Sequence, residues 1–390
     1  YLSQEIVKMK LNRVIISGGG TGGHIFPALA IADQIKERNS AAEVLFVGAL
    51  GKMEMEKVPQ AGYPIIGLPI VGLQRKLSLK NLLLPFKLLS SLLKAYRVIK
   101  NFNPELVIGV GGYASGPTLK MAQFLGIPTL IQEQNSYAGK TNQLLAKKAK
   151  AICVAYPDME KFFPKAKIHF TGNPLRSNLL QNDAQLRAEA ASYFGLDLQQ
   201  PTLFVMGGSL GAKTLNSTLR NGVFDLASQQ VQLIWQCGKS YQSTLQTFAN
   251  TLPNSVKVFP FIQRMDLAYA IADVVVSRAG ALSVSELALL AKPTIFVPSP
   301  NVAEDHQTQN ALSLVNRDAA YLVRDVDAQT ALLPLAIKLL NDKFDIIFMD
   351  PPYKEKKLPF LLNAITKLEL LNTDGIIIIH RHKKEDDDLP

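Results

Sequence analysis

Twice in this chain an apolar strand runs straight into a glycine-rich loop and then into a helical pattern: VIISGGGTGGH at 14–24 and LFVMGGSLGA at 203–212. A strand of Val, Ile, Leu and Phe without polar alternation is buried on both faces, the environment of a parallel sheet. Glycines at its carboxyl end allow a tight turn and leave helix N–H groups open to an anion. Two such units predict two doubly wound α/β domains with their loops facing one another across a cleft. A length of 390 residues suits two domains.

The rest of the chain keeps that rhythm. NRVIISG, AEVLFVG, LVIGVGG, TLIQEQ and KAICVAY read as strands of the first half. TLFVMGG, VQLIWQCG, VKVFPF, ADVVVSRAG, PTIFVPS and AAYLV read as strands of the second. Helical patterns between them make βαβ units. The turn-rich KIHFTGNPLR, 167–176, reads as the linker.

Composition narrows the class. A net charge of +10 favours anionic partners: phosphates, nucleic acid or an acidic membrane face. Cys153 and Cys237 stand far apart, so they read as small buried hydrophobes of a reducing compartment. His24, His169, His306, His380 and His382 have no metal-ligand spacing, and no metal is expected. No apolar run reaches the ~18 residues a membrane span requires. YLSQEIVK lacks the apolar core of a signal peptide, and Met9 reads as a start, with residues 1–9 as an extension.

Gly18 to His24 satisfies G-x-G-x-x-G, yet a dinucleotide site also wants an acid closing the second strand. That strand ends VGALGKM, and Glu54 lies beyond it. The bare N–H groups of Gly18 to Gly23 suit a diphosphate instead, and His24 is placed to reach a reacting hydroxyl. In GGSLGA, backbone N–H groups and the Ser209 hydroxyl suit a leaving phosphate; a plain turn is the alternative. After ADVVV, the small residues of SRAGALSVSE let a ligand approach the backbone. Glu286, expected in the first turn of the next helix, suits a ribose diol, or simply offsets the helix dipole. Glu133-Gln134-Asn135 and His306 to Asn310 add polar groups expected at the same cleft.

From Lys57 to Pro104 the chain carries eight Lys or Arg and no carboxylate. Within it Leu82, Phe86, Leu89 and Leu93 share a helical face, flanked by Lys80, Lys87 and Lys94. A basic amphipathic helix of this kind lies in the headgroup layer of an anionic bilayer. An ordinary core-facing helix with solvated lysines is the alternative.

Taken in order, GGGTGGH, GVGGYASGP (109–117), EQN, TGNPLR, GGSLGA, SRAGALSVSE and EDHQTQNA resemble the MurG family of glycosyltransferases, over roughly residues 10–342. The resemblance implies a GT-B fold: an N-terminal acceptor and membrane-associating domain at 10–172, and a UDP-GlcNAc-binding domain at 173–342. It implies inverting transfer of N-acetylglucosamine, without metal or cofactor, from UDP-GlcNAc to the muramoyl 4-hydroxyl of lipid I, on the cytoplasmic face of the bacterial inner membrane. Carried over by motif, Thr21, Gly22 and Gly23 would contact ligands at the cleft, and Asn135 would lie near the sugar or acceptor diphosphate. Arg176, Ser209 and Ile262 would line the nucleotide pocket. Ala281, Leu282, Ser283, Val284, Ser285 and Glu286 would hold UDP, with Gln307 on the sugar. His24 would be the base. Another UDP-sugar transferase with a lipid-linked acceptor, or an inactive nucleotide-sugar-binding chimera, is the alternative.

The family resemblance implies further helices after Asp342. Instead the chain reads KFDIIFMDPPY and, later, GIIIIHRHK. Residues 343–390 resemble the late part of RsmD-type rRNA guanine methyltransferases: a strand ending in DPPY, the helix LPFLLNAITKLELL and a second strand. The glycine loop that would hold S-adenosylmethionine belongs upstream of DPPY in that fold. Here the upstream glycines have other uses, so no nucleic-acid partner is expected.

Overall fold

The computed structural model describes residues 11–70, 84–175, 179, 184–208, 210–302, 305–341, 344–349, 362, 363, 365, 366 and 371–379. In the first domain these form a parallel sheet of β1 (Arg13–Ser17), β2 (Glu43–Ala49), β3 (Ile65–Leu68), β4 (Leu106–Gly109), β5 (Thr129–Glu133), β6 (Ala151–Val154) and β7 (Ile168–Phe170). Their order is β3-β2-β1-β4-β5-β6-β7. In the second, β8 (Thr202–Met206), β9 (Gln232–Gln236), β10 (Val256–Phe259), β11 (Val274–Ser277), β12 (Thr294–Phe296) and β13 (Tyr321–Leu322) take the order β10-β9-β8-β11-β12-β13. Helices between successive strands supply the crossovers, as parallel pairing requires. The two doubly wound sheets bear out the expected α/β class.

The alternation of strand side chains splits each core in two. Ile15, Leu45, Val47, Val107 and Ile131 fill one face of the first sheet, while Val14, Ile16, Val44, Phe46 and Ile108 fill the other. The second sheet is covered the same way, with Trp235 fully buried and its indole N–H donated to Asn216 Oδ1 at 2.9 Å. Burial on both faces explains why the strands read as continuous apolar runs.

Two strands depart from expectation. Ile65–Leu68 adds an edge strand within PIIGLP, and Ile168–Phe170, inside the stretch read as linker, pairs with β6 as the opposite edge. Both are short and partly exposed, so their apolar signal is weak.

Beyond residue 343, β14 (Phe344–Met349) pairs parallel with β15 (Leu371–Ile379) in a sheet of their own. Strand, helical residues and strand follow the expected order, although β15 starts at Leu371, earlier than GIIIIHRHK. The DPPY residues 350–353 and residues 1–10 lie outside the described residues.

Candidate active site

In each sheet one pair of neighbouring strands sends its crossovers in opposite directions: β1 beside β4, and β8 beside β11. A crevice opens at such a point, outside the carboxyl ends of the strands. Here the loops flanking the two crevices are the motifs singled out above. In the first domain they interlock, Gly19 N–H donating to Gly111 O at 3.3 Å. A Cβ on Gly112 would lie 2.4 Å from Gly19 O, so this approach requires glycine.

The first loop differs from the bare anion cradle expected of it. Glu54 is buried beneath it, its carboxylate accepting N–H groups from Gly20 at 2.8 Å and Ala49 at 3.0 Å. Gly18 N–H is donated to Val47 O. The glycine N–H groups at 18, 19 and 20 are therefore used internally. Those of Thr21, Gly22 and Gly23 stand at the start of the helix Gly22–Arg38, where a helix has no internal acceptors. Thr21 and Gly23 are exposed.

His24 sits in the first turn of that helix. Its Nδ1 lies 3.1 Å from Gly19 O, and because a carbonyl only accepts, Nδ1 carries the proton. Nε2 is then the lone-pair nitrogen, on the side facing Gly111. Desolvation lowers the imidazole pKa below its ordinary value. Glu133, the Gly19 carbonyl and Glu54 oppose that shift, while His306 from the second domain adds to it. The result is a neutral imidazole with one fixed tautomer, the form a general base requires.

In the second domain Gly211, at φ +83°, passes so close to the loop after β9 that a Cβ would sit 2.1 Å from Cys237 O. Gly280 leads into the helix Ala281–Leu289, whose first turn offers the N–H groups of Ala281, Leu282 and Ser283. Ala281, Leu282 and Val284 turn their side chains inward, and Ser285 Oγ donates to Ala281 O at 3.0 Å. Glu286 lies in the second turn, one turn later than expected, and is buried, with Oε2 accepting from Tyr269 OH at 3.0 Å. Nothing in SRAGALSVSE signals that partner, which comes from the helix Met265–Ile271. Arg278 is turned away to the carbonyls of Val297 and Pro298 and to Asp325. Ile262 is buried, its N–H 3.4 Å from Gln236 Oε1, and Gln307 Oε1 accepts from Ser299 N–H at 2.9 Å.

The EQN motif only partly faces the cleft as expected. Glu133 and Gln134 are buried. Glu133 accepts from Asn135 N–H at 3.1 Å, Gly139 N–H at 3.0 Å and Asn142 Nδ2 at 2.8 Å, so it shapes the loop rather than greeting a ligand. Asn135 is half-buried and meets the second domain through Asn310 at 3.4 Å. Between the domains, the helix Gly22–Arg38 touches Ala281–Leu289, so the two motif helices meet at the cleft. Arg176 and Ser209 lie outside the described residues.

The basic amphipathic segment is helical over Leu84–Phe102. Its inner face buries Ser91, Ala95, Val98 and Ile99, whereas Phe86, Leu89 and Leu93 are 72%, 57% and 52% exposed. Those three line a groove of about 790 Å³ together with Arg13, Lys94 and Arg97. The helix thus packs one face on the core, as the alternative expected, and also presents an outward apolar face. Leu82 and Lys80 lie outside the described residues, and Lys87 is partly exposed beside this face. Among the described residues no helix is long and apolar enough to cross a membrane, and no His, Cys, Asp and Glu cluster could hold a metal ion.

Residues 14–154 match the glycosyltransferase family 28 N-terminal domain, and residues 202–355 match the family 28 C-terminal domain. The second match runs past the expected boundary at 342 and through DPPY. Two curated relatives are both named UDP-N-acetylglucosamine–N-acetylmuramyl-(pentapeptide) pyrophosphoryl-undecaprenol N-acetylglucosamine transferase. The Flavobacterium psychrophilum protein is 54% identical over 86% of this chain and 90% of its own length. That of Cytophaga hutchinsonii is 50% identical over 94% and 99%. The crystal structure of Acinetobacter baumannii MurG, 33% identical, covers 85% of this chain and 91% of that one with a TM-score of 0.64. Motif order, the paired switch-point loops and these likenesses agree: the chain belongs to glycosyltransferase family 28, in the MurG family.

Proposed function

We infer that this chain transfers N-acetylglucosamine from UDP-GlcNAc to lipid I, the step that yields lipid II in peptidoglycan synthesis. Beyond family likeness, the observation that carries the reading is the pinned His24, whose basic nitrogen lies beside Gly111 at the switch point of the first sheet. In the reaction the muramoyl 4-hydroxyl gives its proton to Nε2 of His24 while its oxygen attacks the anomeric carbon. The bond from that carbon to the β-phosphate oxygen breaks, its electron pair leaves with UDP, and the configuration inverts. UDP is a good leaving group, so positioning and electrostatic relief supply most of the acceleration. The helix start at Ala281 to Ser283 and the loop holding Ser209 are assigned to the diphosphate. Arg176 and Ile262 are assigned to the nucleotide pocket, Glu286 to the ribose, and Asn135 and Gln307 to the sugar. Thr21, Gly22 and Gly23 are assigned to the acceptor side.

UDP release from UDP-GlcNAc with a lipid I analogue tests the reading. His24→Ala should lower kcat roughly 10²- to 10⁴-fold. In the parent chain kcat/KM should fall with acid only below the ordinary histidine pKa of 6.5, because the fold depresses the value and keeps the imidazole neutral. Near-normal turnover by His24→Ala with an unchanged pH profile would place the base elsewhere. UDP binding without transfer would favour the binding-chimera alternative.

We assign the enzyme a peripheral place on the cytoplasmic face of the inner membrane, held by the exposed Phe86, Leu89 and Leu93 and by nearby cations. Changing those three to Ser should reduce turnover of a vesicle-borne acceptor while sparing a detergent-dispersed one. Equal loss on both would sink that assignment. Residues 343–390 we read as a methyltransferase-like fragment that lacks its cofactor loop. Measurable S-adenosylmethionine binding by equilibrium dialysis would overturn that reading.

A further inference from the structure

Two asparagines sit where the domains touch, and each spends its whole carboxamide on the junction. Asn310, fully buried on the helix His306–Val315, accepts at Oδ1 from Ser136 N–H at 3.2 Å and Ser136 Oγ at 2.9 Å. Its Nδ2 reaches Asn135 Oδ1 at 3.4 Å and Ala279 O at 3.3 Å. An amide has two donor hydrogens and two acceptor lone pairs, so Asn310 is saturated, largely by the opposite domain. Asn173, between the domains, accepts from Gln132 Nε2 at 3.1 Å. Its Nδ2 lies 3.1 Å from Gln134 O in the first domain, and 3.4 Å from Ala281 O and 3.0 Å from Ser285 Oγ in the second.

Both asparagines tie the end of β5 and its following loop, 132–136, to one short stretch, 279–285. That stretch opens the helix assigned above to the diphosphate. We propose that Asn173 and Asn310 form a latch that closes the domains before substrate binds. They act as positioning residues that set the sugar-nucleotide helix at a fixed distance from His24. With Asn310 fully buried and Asn173 half-buried, such a network favours one arrangement, because opening it would leave several polar atoms to find new partners. A ligand that binds only the closed form then gains affinity in proportion to how much closed form exists beforehand.

The kinetic arm of the test rests on the glycosyl-transfer reading, while the structural arm does not. Small-angle scattering of the full chain without ligand should give the dimensions of the closed arrangement. Asn173→Asp sets a carboxylate against two carbonyl oxygens and should expand the free protein, with saturating UDP-GlcNAc restoring compactness. KM for UDP-GlcNAc should rise about tenfold, equivalent to about 1.4 kcal/mol, with kcat within about twofold. Ser136→Ala removes a single hydroxyl from a half-buried loop and should move both readouts the same way by less. It decides the matter should Asn173→Asp fail to fold. An expanded parent protein, or variants with parental dimensions and KM, would overturn the latch. If the parent releases no UDP, the transfer reading fails while scattering still judges the latch.

Discussion

The glycine loop after β1 rests on a buried carboxylate, whereas the loop after β8 rests, among its described residues, on other backbone. Glu54 takes the Gly20 N–H, and a Cβ on Gly19 would lie 2.2 Å from that carboxyl group. In the second domain Gly211 is walled in by Cys237 O, and Gly238 in turn by the backbone at Gly211. Each loop nevertheless keeps one glycine facing open space, Gly20 at φ +90° and Gly208 at φ +83°. The same texture of sequence thus yields two electrostatic environments. A carboxylate beneath the first loop disfavours a tightly held phosphate there, while nothing comparable is described beneath the second. This supports the assignment of the nucleotide to the second domain.

The sharpest way to break that contrast is Gly211→Ala. It adds a Cβ against a carbonyl and places Ala in the left-handed region, a cost of more than about 3 kcal/mol. The second domain should lose its cooperative melting transition while the first keeps its own, read by calorimetry. A parental melting profile would mean that the backbone wall is soft. Glu54→Gln tests the polar brace. An amide can accept only one of the two N–H groups, so stability should fall by about 1–3 kcal/mol. Removing an anion that raises the His24 pKa should also move the acid limb of kcat/KM lower still. A limb shifted upward would contradict the described geometry. Gly20→Ala should cost least, about 1–2 kcal/mol of backbone strain, because nothing lies within 4 Å of the added Cβ. Its larger effect should fall on acceptor KM, which distinguishes an open ligand-facing glycine from an enclosed one.

The double-wound plan was legible because its central strands are covered on both faces and write uninterrupted apolar runs. Ile65–Leu68 and Ile168–Phe170 were not, because edge strands need only half that pattern and Pro64 breaks the first. At the site, motif order gave the loops and His24. The residues that hold them in place were hidden for a physical reason. Glu54, Tyr269 and Asn173 act through partners distant in the chain, and Asn310, expected at the cleft, braces it rather than facing a ligand; nothing local distinguishes a bracing carboxylate or amide from a solvated one. Glu133 is the instructive reversal: a polar residue at a strand end reads as ligand-facing, yet it is turned inward to hold its own loop.

The edge strand Ile168–Phe170 has a mechanical consequence. From its last residue to Asn173 only three peptide steps intervene, a span of about 10 Å at full extension. The first domain therefore passes to the second on a very short leash, anchored at one end in a sheet and at the other in a hydrogen-bonded amide. Such a tether permits little sliding of one domain past the other. While the Asn173 bonds hold, any widening of the cleft has to be a swing about this crossing, so His24 and the nucleotide helix separate along an arc; only their release lets the domains part further.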